Sequence, residues 1–217
     1  MGTLLKAFNS TVGRKLIMGL TGLALALFVI VHLIENLLLY VGPEAYNGYV
    51  ERLHSFGIFL TFAEIGLAAM VIVHAVMAIG ISKSNRDARG SERYAMVRSK
   101  GDPSRSNVAS RNMIITGLVI LSFLVYHLIQ FRFGPVTADL YSAVTTAFHD
   151  PICVGIYVAV MVFLGLHFRH GFWSAFQSLG AMTPQLSKPM YCLGLLIGAV
   201  LALGFISIPV WFYFGAH

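Results

Sequence analysis

Two stretches of this chain decide its fold: TGLALALFVIVHLI at residues 21–34 and TGLVILSFLVYHLI at residues 116–129. Both follow the pattern T-G-L-x4-F-x3-H-L-I, and neither contains a charged residue. Apolar matches arise easily between membrane helices, but Thr, Gly, Phe and His agreeing in one register indicate an internal repeat. The two stretches are therefore predicted to be equivalent helices in two helical pairs.

The polar and aromatic members of this repeat fall on one helical face. In each copy the Phe lies four residues before the His, and the Thr lies eleven residues before it. At helical spacing these three side chains share a face, and we predict that this face points into the bundle.

The composition excludes a soluble protein. Of the 217 residues, 57% are hydrophobic and 11% are charged, compared with about 25% charged in soluble domains. The formal net charge of +6 does not indicate nucleic-acid binding, because the basic residues flank apolar segments instead of forming a patch with interleaved aromatic residues. Cys153 and Cys192 lie inside apolar runs and match neither a disulfide framework nor a zinc motif.

Five apolar segments are each long enough to cross about 30 Å of hydrocarbon as a helix. They lie at residues 16–41, 58–82, 112–133, 151–178 and 190–214. We therefore predict an all-α polytopic membrane protein in which residues 1–217 form a single transmembrane domain. Since nothing between the spans resembles a soluble catalytic domain, the chemistry must take place inside the bundle or in a partner.

The basic residues are distributed unevenly between the two sides of the membrane. The polar loop at residues 83–111 carries eight of the fifteen Lys and Arg residues. When the spans alternate in direction, thirteen of the fifteen fall on the side of that loop, and Arg52 and Arg132 fall on the other side. The positive-inside rule then predicts a cytoplasmic N-terminus, a cytoplasmic 83–111 loop and an outward C-terminus.

Four histidines lie deep within four different spans: His32, His74, His127 and His167. At about 1.5 Å per residue, His32 and His127 both fall in the outer half of the membrane, and His74 and His167 both fall in the inner half. The four histidines thus form two level pairs, separated vertically by roughly 10–15 Å at the same helical rise.

Two level pairs of imidazoles suit two stacked haems, because a haem iron accepts one neutral imidazole on each side. We therefore predict that the first four spans form a haem-binding bundle, with His32 and His127 as ligands of an outer haem and His74 and His167 as ligands of an inner one. A structural zinc ion fits less well, since it needs four ligands around one point. The alternative is that the histidines only form hydrogen bonds between helices.

Small residues and a second histidine accompany the inner pair. Gly22 and Gly117 lie below the outer histidines and are expected to let the inner macrocycle approach both backbones. His170 lies one turn from His167 and competes with it as the fourth ligand. Because His170 is nearer the cytoplasmic boundary, where haem propionates should emerge, we assign His167 to the iron and predict that Arg169 and His170 contact the propionates.

A quinone site is predicted near the outer haem. Glu51 and His54 lie together in the first outer connection, and this pair can exchange the protons that accompany quinone chemistry. Glu35, three residues after His32, and Glu64, inside the second span, also need explanation, because an intramembrane carboxylate is either paired or handles protons. For Glu64, a bond to a neighbouring helix and a functional role are equally weighted alternatives.

The chain resembles the di-haem cytochrome b membrane-anchor subunits of succinate:quinone oxidoreductases, the family of succinate dehydrogenases and quinol:fumarate reductases. The resemblance covers essentially the whole chain and rests on five spans with histidines in the first four. In this family the fourth ligand lies four residues before a glycine that precedes an apolar or aromatic pair, which matches His167 and Gly171 here. The segments that carry the resemblance are HLIEN from His32, HAVMAIG from His74, YHLI around His127 and HFRHGFWSAFQSLG from His167.

The resemblance implies two b-type haems, a quinone site near the outer haem, and flavoprotein and iron–sulfur subunits docked on the cytoplasmic face. The chain would then lie in the inner membrane of a bacterium, surrounded by lipid. It would be the quinone-reacting subunit, relaying electrons between menaquinone or another quinone and the subunits that interconvert fumarate and succinate. A homo-oligomer of the complex is compatible with it. Gly165, two residues before His167, offers no carboxylate for a proton route beside the haems.

Two other classes of protein are compatible with the sequence. Cytochrome b subunits of formate dehydrogenases, hydrogenases or ascorbate-linked reductases also carry electrons, but they place their ligands on a different subset of helices. A haem-free transporter or scaffold would use the histidines to bridge helices. Transporters usually have spans broken near the midplane, whereas the only intramembrane proline is Pro209, near the end of the last predicted span.

Overall fold

The computed structural model describes residues 10–88, 112–134 and 139–215, and all regular secondary structure within these ranges is helical. A 3-10 turn at Leu37–Tyr40 extends the first helix, and a π-helical segment at Leu128–Arg132 extends the fourth. The α-helices are α1 Thr11–Asn36, α2 Pro43–His54, α3 Ile58–Asp87, α4 Met113–His127, α5 Leu140–Ala147, α6 Pro151–Ser178 and α7 Pro184–Phe214.

Five of the described helices are long and apolar enough to cross a membrane, namely α1, α3, α4, α6 and α7, with the π-helical segment completing α4. This confirms the predicted all-helical, multi-pass fold. The short helices α2 and α5 lie in the connections at one end of the bundle, which we call the capped end. At the opposite end, the basic end, the described Lys and Arg residues include Arg14, Lys15, Lys83, Arg86 and Lys188.

Polar caps place the helix ends outside the apolar runs. Ser10 caps α1 by accepting a hydrogen bond from the Gly13 backbone N–H at 3.0 Å, and Thr183 caps α7 by accepting from Leu186 at 3.3 Å. Such caps satisfy backbone N–H groups that have no partner within the helix. As a result α1 and α7 begin earlier than predicted. The predicted loop at 83–111 begins as helix, because α3 continues to Asp87, and its residues 89–111 lie outside the described ranges.

The first four spans pack side by side in the order α3, α1, α6 and α4. α1 packs about as extensively against α6 as against α3, so the predicted pairs, α1 with α3 and α4 with α6, are not separate units. α3 and α4 touch only over a short stretch. α7 packs along α6 and also meets α1. The four spans enclose a cavity, and Phe205, Ile208 and Pro209 of α7 also line it.

Glycines bring α6 and α7 into close contact. A Cβ added to Gly198 would lie 2.8 Å from the carbonyl oxygen of Gly165, and one added to Gly165 would lie 3.0 Å from that of Gly198. Small residues at such crossings let membrane helices approach and gain packing contacts. The absence of a carboxylate at position 165 therefore has a packing explanation.

We expect Gly198→Ala to destabilise the protein by about 1–3 kcal/mol, the usual range for an overpacked contact. Gly155→Ala is the matched control on α6, because a Cβ there meets no atom within 4 Å. Reversible unfolding by SDS in mixed micelles, followed by circular dichroism, measures both variants. Equal stability of the two would contradict the close glycine contact.

Polar contacts between α2 and α5 hold the capped end together. The Asn47 amide donates to Asp139 Oδ1 at 2.7 Å, and the Asn47 carbonyl accepts from the Tyr141 backbone N–H at 3.0 Å. Asp139 also accepts from the Ser142 backbone N–H at 3.0 Å, which caps α5. The rings of Tyr46 and Tyr141 lie 6.4 Å apart. These contacts join the two connections into one structure above the cavity.

The hydrogen bonds from Ser142, together with that from Asn47, hold the pKa of Asp139 below its ordinary value. A carboxylate with a lowered pKa stabilises the folded state above its ordinary pKa, and this contribution is lost as the pH falls through the lowered value. We therefore expect Asp139→Asn to reduce the melting temperature at neutral pH, with the deficit closing on acidification. Asp87→Asn, which removes a charge at the basic end, is the control. A deficit that did not change with pH would contradict the role of the Asp139 charge.

Candidate functional site

A cavity of about 2360 Å³ runs between α1, α3, α4 and α6. Sites for single small molecules usually occupy about 300–1,000 Å³, so this cavity has room for more than one such ligand. The four deep histidines all line it: His32, His74, His127 and His167.

The structure brings together the two histidines that the sequence assigns to the outer level. The ring centres of His32 and His127 lie 5.9 Å apart, with their planes at 84°. Phe28 stacks on His32 at 5.5 Å, and Phe123 stacks on His127 at 5.8 Å. The Phe and His of each repeat copy therefore share one face.

The structure also brings together the inner histidines. The ring centres of His74 and His167 lie 6.4 Å apart, with their planes at 68°. A Cβ added to Gly22 would lie 3.1 Å from Cε1 of His74, and one added to Gly117 would lie 3.4 Å from Cε1 of His167. The two repeat glycines therefore make room for the inner imidazole rings themselves, a more specific role than the approach of a macrocycle.

The repeat threonines contact the inner histidines at Nδ1. Thr21 Oγ1 donates its single proton to the Ile17 carbonyl at 2.8 Å and lies 3.2 Å from Nδ1 of His74. Thr116 Oγ1 donates to the Met113 carbonyl at 3.1 Å and lies 3.1 Å from Nδ1 of His167.

When each hydroxyl donates to its backbone carbonyl, it accepts from the imidazole. In that arrangement Nδ1 of both histidines carries hydrogen, and the lone pair of each neutral imidazole lies on Nε2.

A tyrosine contacts Nδ1 of one of the outer histidines. The Tyr157 hydroxyl donates to Oε1 of Gln130 at 2.9 Å and lies 3.0 Å from Nδ1 of His127. Gln130 in turn donates to the Cys153 sulfur at 3.4 Å. In this arrangement the hydroxyl accepts from Nδ1, and the lone pair of His127 lies on Nε2.

The fourth histidine, His32, lies near a carboxylate instead of a hydroxyl. Nδ1 of His32 lies 4.0 Å from the Glu35 carboxylate. Glu35 accepts a hydrogen bond from the Tyr49 hydroxyl of α2. Burial, together with this hydrogen bond, raises the pKa of Tyr49 above its ordinary value, so the hydroxyl keeps its proton and continues to donate. Of the four histidines, His32 alone has a carboxylate as the neighbour of its Nδ1.

The spacing of the rings fits one metal ion between the two members of each pair. A metal–imidazole bond is about 2 Å long, and ring atoms lie about 1 Å from the ring centre, so two opposed ligands have ring centres about 6 Å apart. The separations of 5.9 and 6.4 Å agree with this value. Within the three described ranges, no three His, Cys, Asp or Glu side chains gather around one point to hold a metal ion by themselves. The donor set therefore suits a haem iron, which needs only two protein ligands, better than a zinc ion.

The two predicted propionate contacts differ in position. Arg169 points towards α7, where its Nη2 donates to the Tyr191 hydroxyl and its guanidinium lies 5.4 Å from the ring centre, so it does not reach the cavity. His170 does line the cavity. Lys15 and Arg86, which the sequence did not single out, line it at the basic end. Of the described residues, His170, Lys15 and Arg86 are basic groups that an anionic substituent could contact at this end.

At the capped end, the predicted quinone residues Glu51 and His54 lie on α2, exposed, and line the cavity. Glu64 lies on α3 and is paired: its two carboxylate oxygens accept from Nε and Nη2 of Arg132, each at 2.9 Å. Of the two readings that the sequence left open for Glu64, the structure therefore shows a bond to a neighbouring helix.

Sequence reasoning did not identify Tyr157 and Gln130 as neighbours of His127. A signal was present, because a hydroxyl or amide inside an apolar span needs a partner. The sequence pattern does not reveal the π-turn at Leu128–Arg132. In this turn the Phe133 N–H donates to the Leu128 carbonyl at 2.8 Å. This π-turn changes the directions of the residues that follow His127.

The fold and the site together define an all-helical, multi-pass membrane protein with two facing histidine pairs in one internal cavity. No protein-family model, no curated protein and no solved structure matches the chain in sequence or structure comparisons.

Proposed function

We propose that the chain is a membrane cytochrome b subunit that relays electrons through two b haems between a membrane quinone and cytoplasmic iron–sulfur and flavin subunits that interconvert fumarate and succinate. The observation that carries the proposal is the pair of imidazole separations, 5.9 Å for His32 with His127 and 6.4 Å for His74 with His167. Two such pairs in one cavity would supply four imidazole ligands from four helices.

Haem iron supplies one-electron transfer when it is bound between such imidazoles. The chain's own residues prepare the ligands for this. Thr21, Thr116 and Tyr157 accept the Nδ1 hydrogens of three histidines, which orients the rings and leaves each Nε2 lone pair free. Hydrogen bonds of this kind raise the basicity of a ligating imidazole and tune the metal.

The proposed direction in the membrane follows from charge. The basic end would face the cytoplasm under the positive-inside rule, and the flavoprotein and iron–sulfur subunits would dock there. The capped end would then face outward, with the quinone close to His32 and His127. The assignment to fumarate and succinate rests on the resemblance of the histidine pattern and of the HFRHG segment at residues 167–171.

A haem-free scaffold explains the same histidine contacts less well than a haem-binding bundle does. In such a scaffold, each histidine would need partners for both ring nitrogens, because an unpartnered polar group in an apolar interior costs about 1–3 kcal/mol. The hydroxyl partners of His74, His127 and His167 lie at Nδ1, and the Asn36 amide lies 3.4 Å from both ring nitrogens of His32. A metal ion would give Nε2 of the first three rings a partner.

A reduced-minus-oxidised spectrum of the purified chain, with haem quantitation, tests the proposal. We expect b-type spectra and two haems per chain. His32→Ala or His127→Ala should remove the outer haem and leave one, and His149→Ala, which removes an exposed histidine at the capped end, should leave two. A wild-type chain without haem would remove the central claim, and loss of only the inner haem from the His32 or His127 variants would contradict the pairing.

The choice of His167 over His170 is tested in the same way. Thr116 holds the His167 ring opposite His74, whereas the His170 ring packs 6.1 Å from Trp173. We expect His167→Ala to abolish binding of the inner haem and His170→Ala only to weaken it. The reverse outcome would show that His170 is the ligand.

Substitution of the hydroxyl partners is expected to shift the midpoint potential of each haem separately. Removing the acceptor of a ligand's N–H makes the imidazole a weaker donor and favours ferrous iron, so the midpoint potential should rise. With about 1 kcal/mol per hydrogen bond, the rise is about 40 mV for one electron. Tyr157→Phe should shift only the outer haem and Thr116→Val only the inner one, as measured by potentiometric titration. Each variant is the other's control, and a shift of the wrong haem would contradict the assignment.

A further inference from the structure

A chain of hydrogen bonds leads from His127 into the contact between α4 and α6. Nδ1 of His127 lies 3.0 Å from the Tyr157 hydroxyl, which donates to Oε1 of Gln130 at 2.9 Å. The Gln130 amide nitrogen donates to the Cys153 sulfur at 3.4 Å. Three side chains therefore connect this imidazole to a sulfur that the proposed electron relay does not use.

Gln130 contacts both α6 groups because of its position and theirs. It lies in the π-helical segment Leu128–Arg132, whose wider turn changes the directions of the residues after His127. Cys153 and Tyr157 lie four residues apart on α6, so they share one face of that helix. Only 3% and 6% of their surfaces, respectively, are exposed. At such burial, water does not replace a lost hydrogen-bond partner, and the loss is costly.

The Gln130 amide has two ends of opposite hydrogen-bonding character. Its oxygen only accepts and its NH2 group only donates. With the oxygen towards Tyr157, the hydroxyl donates to the amide and accepts from Nδ1 of His127. With the NH2 group towards Tyr157, the hydroxyl would donate to Nδ1 instead, and the imidazole proton would lie on Nε2. The orientation of one amide thus decides which nitrogen of His127 carries the proton.

Cys153 favours the first of these two orientations. Its sulfur accepts from the Gln130 amide nitrogen and also from the Tyr126 hydroxyl, which lies 3.7 Å away. A thiol is a weak hydrogen-bond donor, so it offers little to an amide oxygen in the reversed orientation. The sulfur therefore holds the amide nitrogen on its own side and leaves the amide oxygen to Tyr157.

The inner histidines do not depend on such a chain. Both repeat threonines donate to backbone carbonyls of their own helices. A carbonyl cannot donate, so it leaves the hydroxyl to accept from an inner histidine. The Tyr157 hydroxyl depends instead on a side chain of another helix, and an amide presents either a donor or an acceptor. The proton position on His127 therefore depends on Gln130 in a way that the inner histidines do not share.

We propose that Gln130 is a positioning residue for His127. Held by the Cys153 sulfur, it makes the Tyr157 hydroxyl accept from Nδ1 and so keeps the imidazole lone pair on Nε2. Gln130 and Cys153 both act through Tyr157. The choice of tautomer is a property of the chain alone, whereas its use in holding a haem iron rests on the proposed function.

The tautomer is read by nitrogen-15 solid-state NMR of the full chain, labelled at histidine, made without haem and reconstituted in lipid bilayers. The two neutral tautomers differ in the shifts of their ring nitrogens, and comparison with His127→Ala identifies the His127 signals. We expect the Nδ1–H tautomer in the wild type. In Gln130→Leu the Tyr157 hydroxyl loses its acceptor and donates to the ring, so the Nε2–H tautomer should become the major form.

Further variants separate hydrogen bonding from packing. Gln130→Glu keeps an oxygen that accepts from Tyr157, so it should retain the Nδ1–H tautomer. Cys153→Ala removes the acceptor of the amide nitrogen and should populate both tautomers. Gln177→Leu is the matched control, because it removes another amide that lines the cavity, on α6, and should leave the His127 tautomer unchanged.

The haem-bound chain provides a second measurement, the rate of haem transfer to apomyoglobin. When Nε2 of His127 binds iron, the ring proton stays on Nδ1, so in Gln130→Leu the buried Tyr157 hydroxyl has no acceptor. Because an unsatisfied buried donor is costly, we expect the haem that His32→Ala removes to be lost at least about fivefold faster than from the wild type. Gln130→Glu and Gln177→Leu should release it at the wild-type rate.

Each measurement can overturn the proposal. A Nε2–H tautomer in the wild type or an unchanged tautomer in Gln130→Leu would do so, and so would equal haem loss from Gln130→Leu and Gln130→Glu, because packing would then explain the loss. Circular dichroism and monodispersity report folding of every sample, and haem transfer decides when a haem-free variant does not fold.

This inference and the proposed function fail separately. A chain that changes tautomer in Gln130→Leu but binds no haem would support the role of Gln130 and refute the proposed electron relay. Two haems per chain, with neither the tautomer nor haem transfer dependent on Gln130, would refute the role of Gln130 alone.

Discussion

Hydrogen bonding of imidazole in a medium without water is the constraint on which this structure depends. Inside a bilayer each polar group must find its partner within the protein, and a histidine has two ring nitrogens to satisfy. Hydroxyls of Thr21, Thr116 and Tyr157 lie beside Nδ1 of three of the four histidines. When each hydroxyl donates its own proton to its neighbouring carbonyl oxygen, it accepts from Nδ1. Nε2 is then the ring nitrogen available to a metal.

The internal repeat acquires a physical meaning from these contacts. Each copy contributes a histidine to the outer level, a phenylalanine stacked on that histidine, and a Thr-Gly step that supports a histidine of the inner level. One helix therefore serves two levels, and the two copies face each other across the cavity. This arrangement explains why Thr and Gly recur eleven and ten residues before the histidine, a spacing of about three helical turns. It also makes the inner level depend on residues of α1 and α4, which carry none of its histidines.

Much of the fold and part of the site were predictable from the sequence, for reasons visible in particular residues. Charge-free runs long enough to cross a bilayer predict the spans, and helical rise predicts which histidines share a level. Helix ends were not predictable from the runs, because Ser10 and Thr183 cap their helices in polar surroundings. The contact of Arg169 with Tyr191 was not predictable, because the sequence does not reveal on which side of α6 the helix α7 packs. Arg132 reached Glu64 through a π-turn, a departure from the regular helical period that a sequence pattern assumes.

The Gly165–Gly198 crossing also has an electrical consequence. Among the described residues of the spans, the carboxylates Glu35 and Glu64 lie in the half nearer the capped end, whereas position 165, two residues before His167, holds a glycine whose added Cβ would meet α7. Under the proposed relay, neither of these two carboxylates would lie between the two histidine levels to carry a proton that compensates the electron. Each transfer would then displace net charge through the bilayer, at about 2.3 kcal/mol per charge for every 100 mV of potential. The voltage across the membrane would favour one direction of turnover and oppose the other.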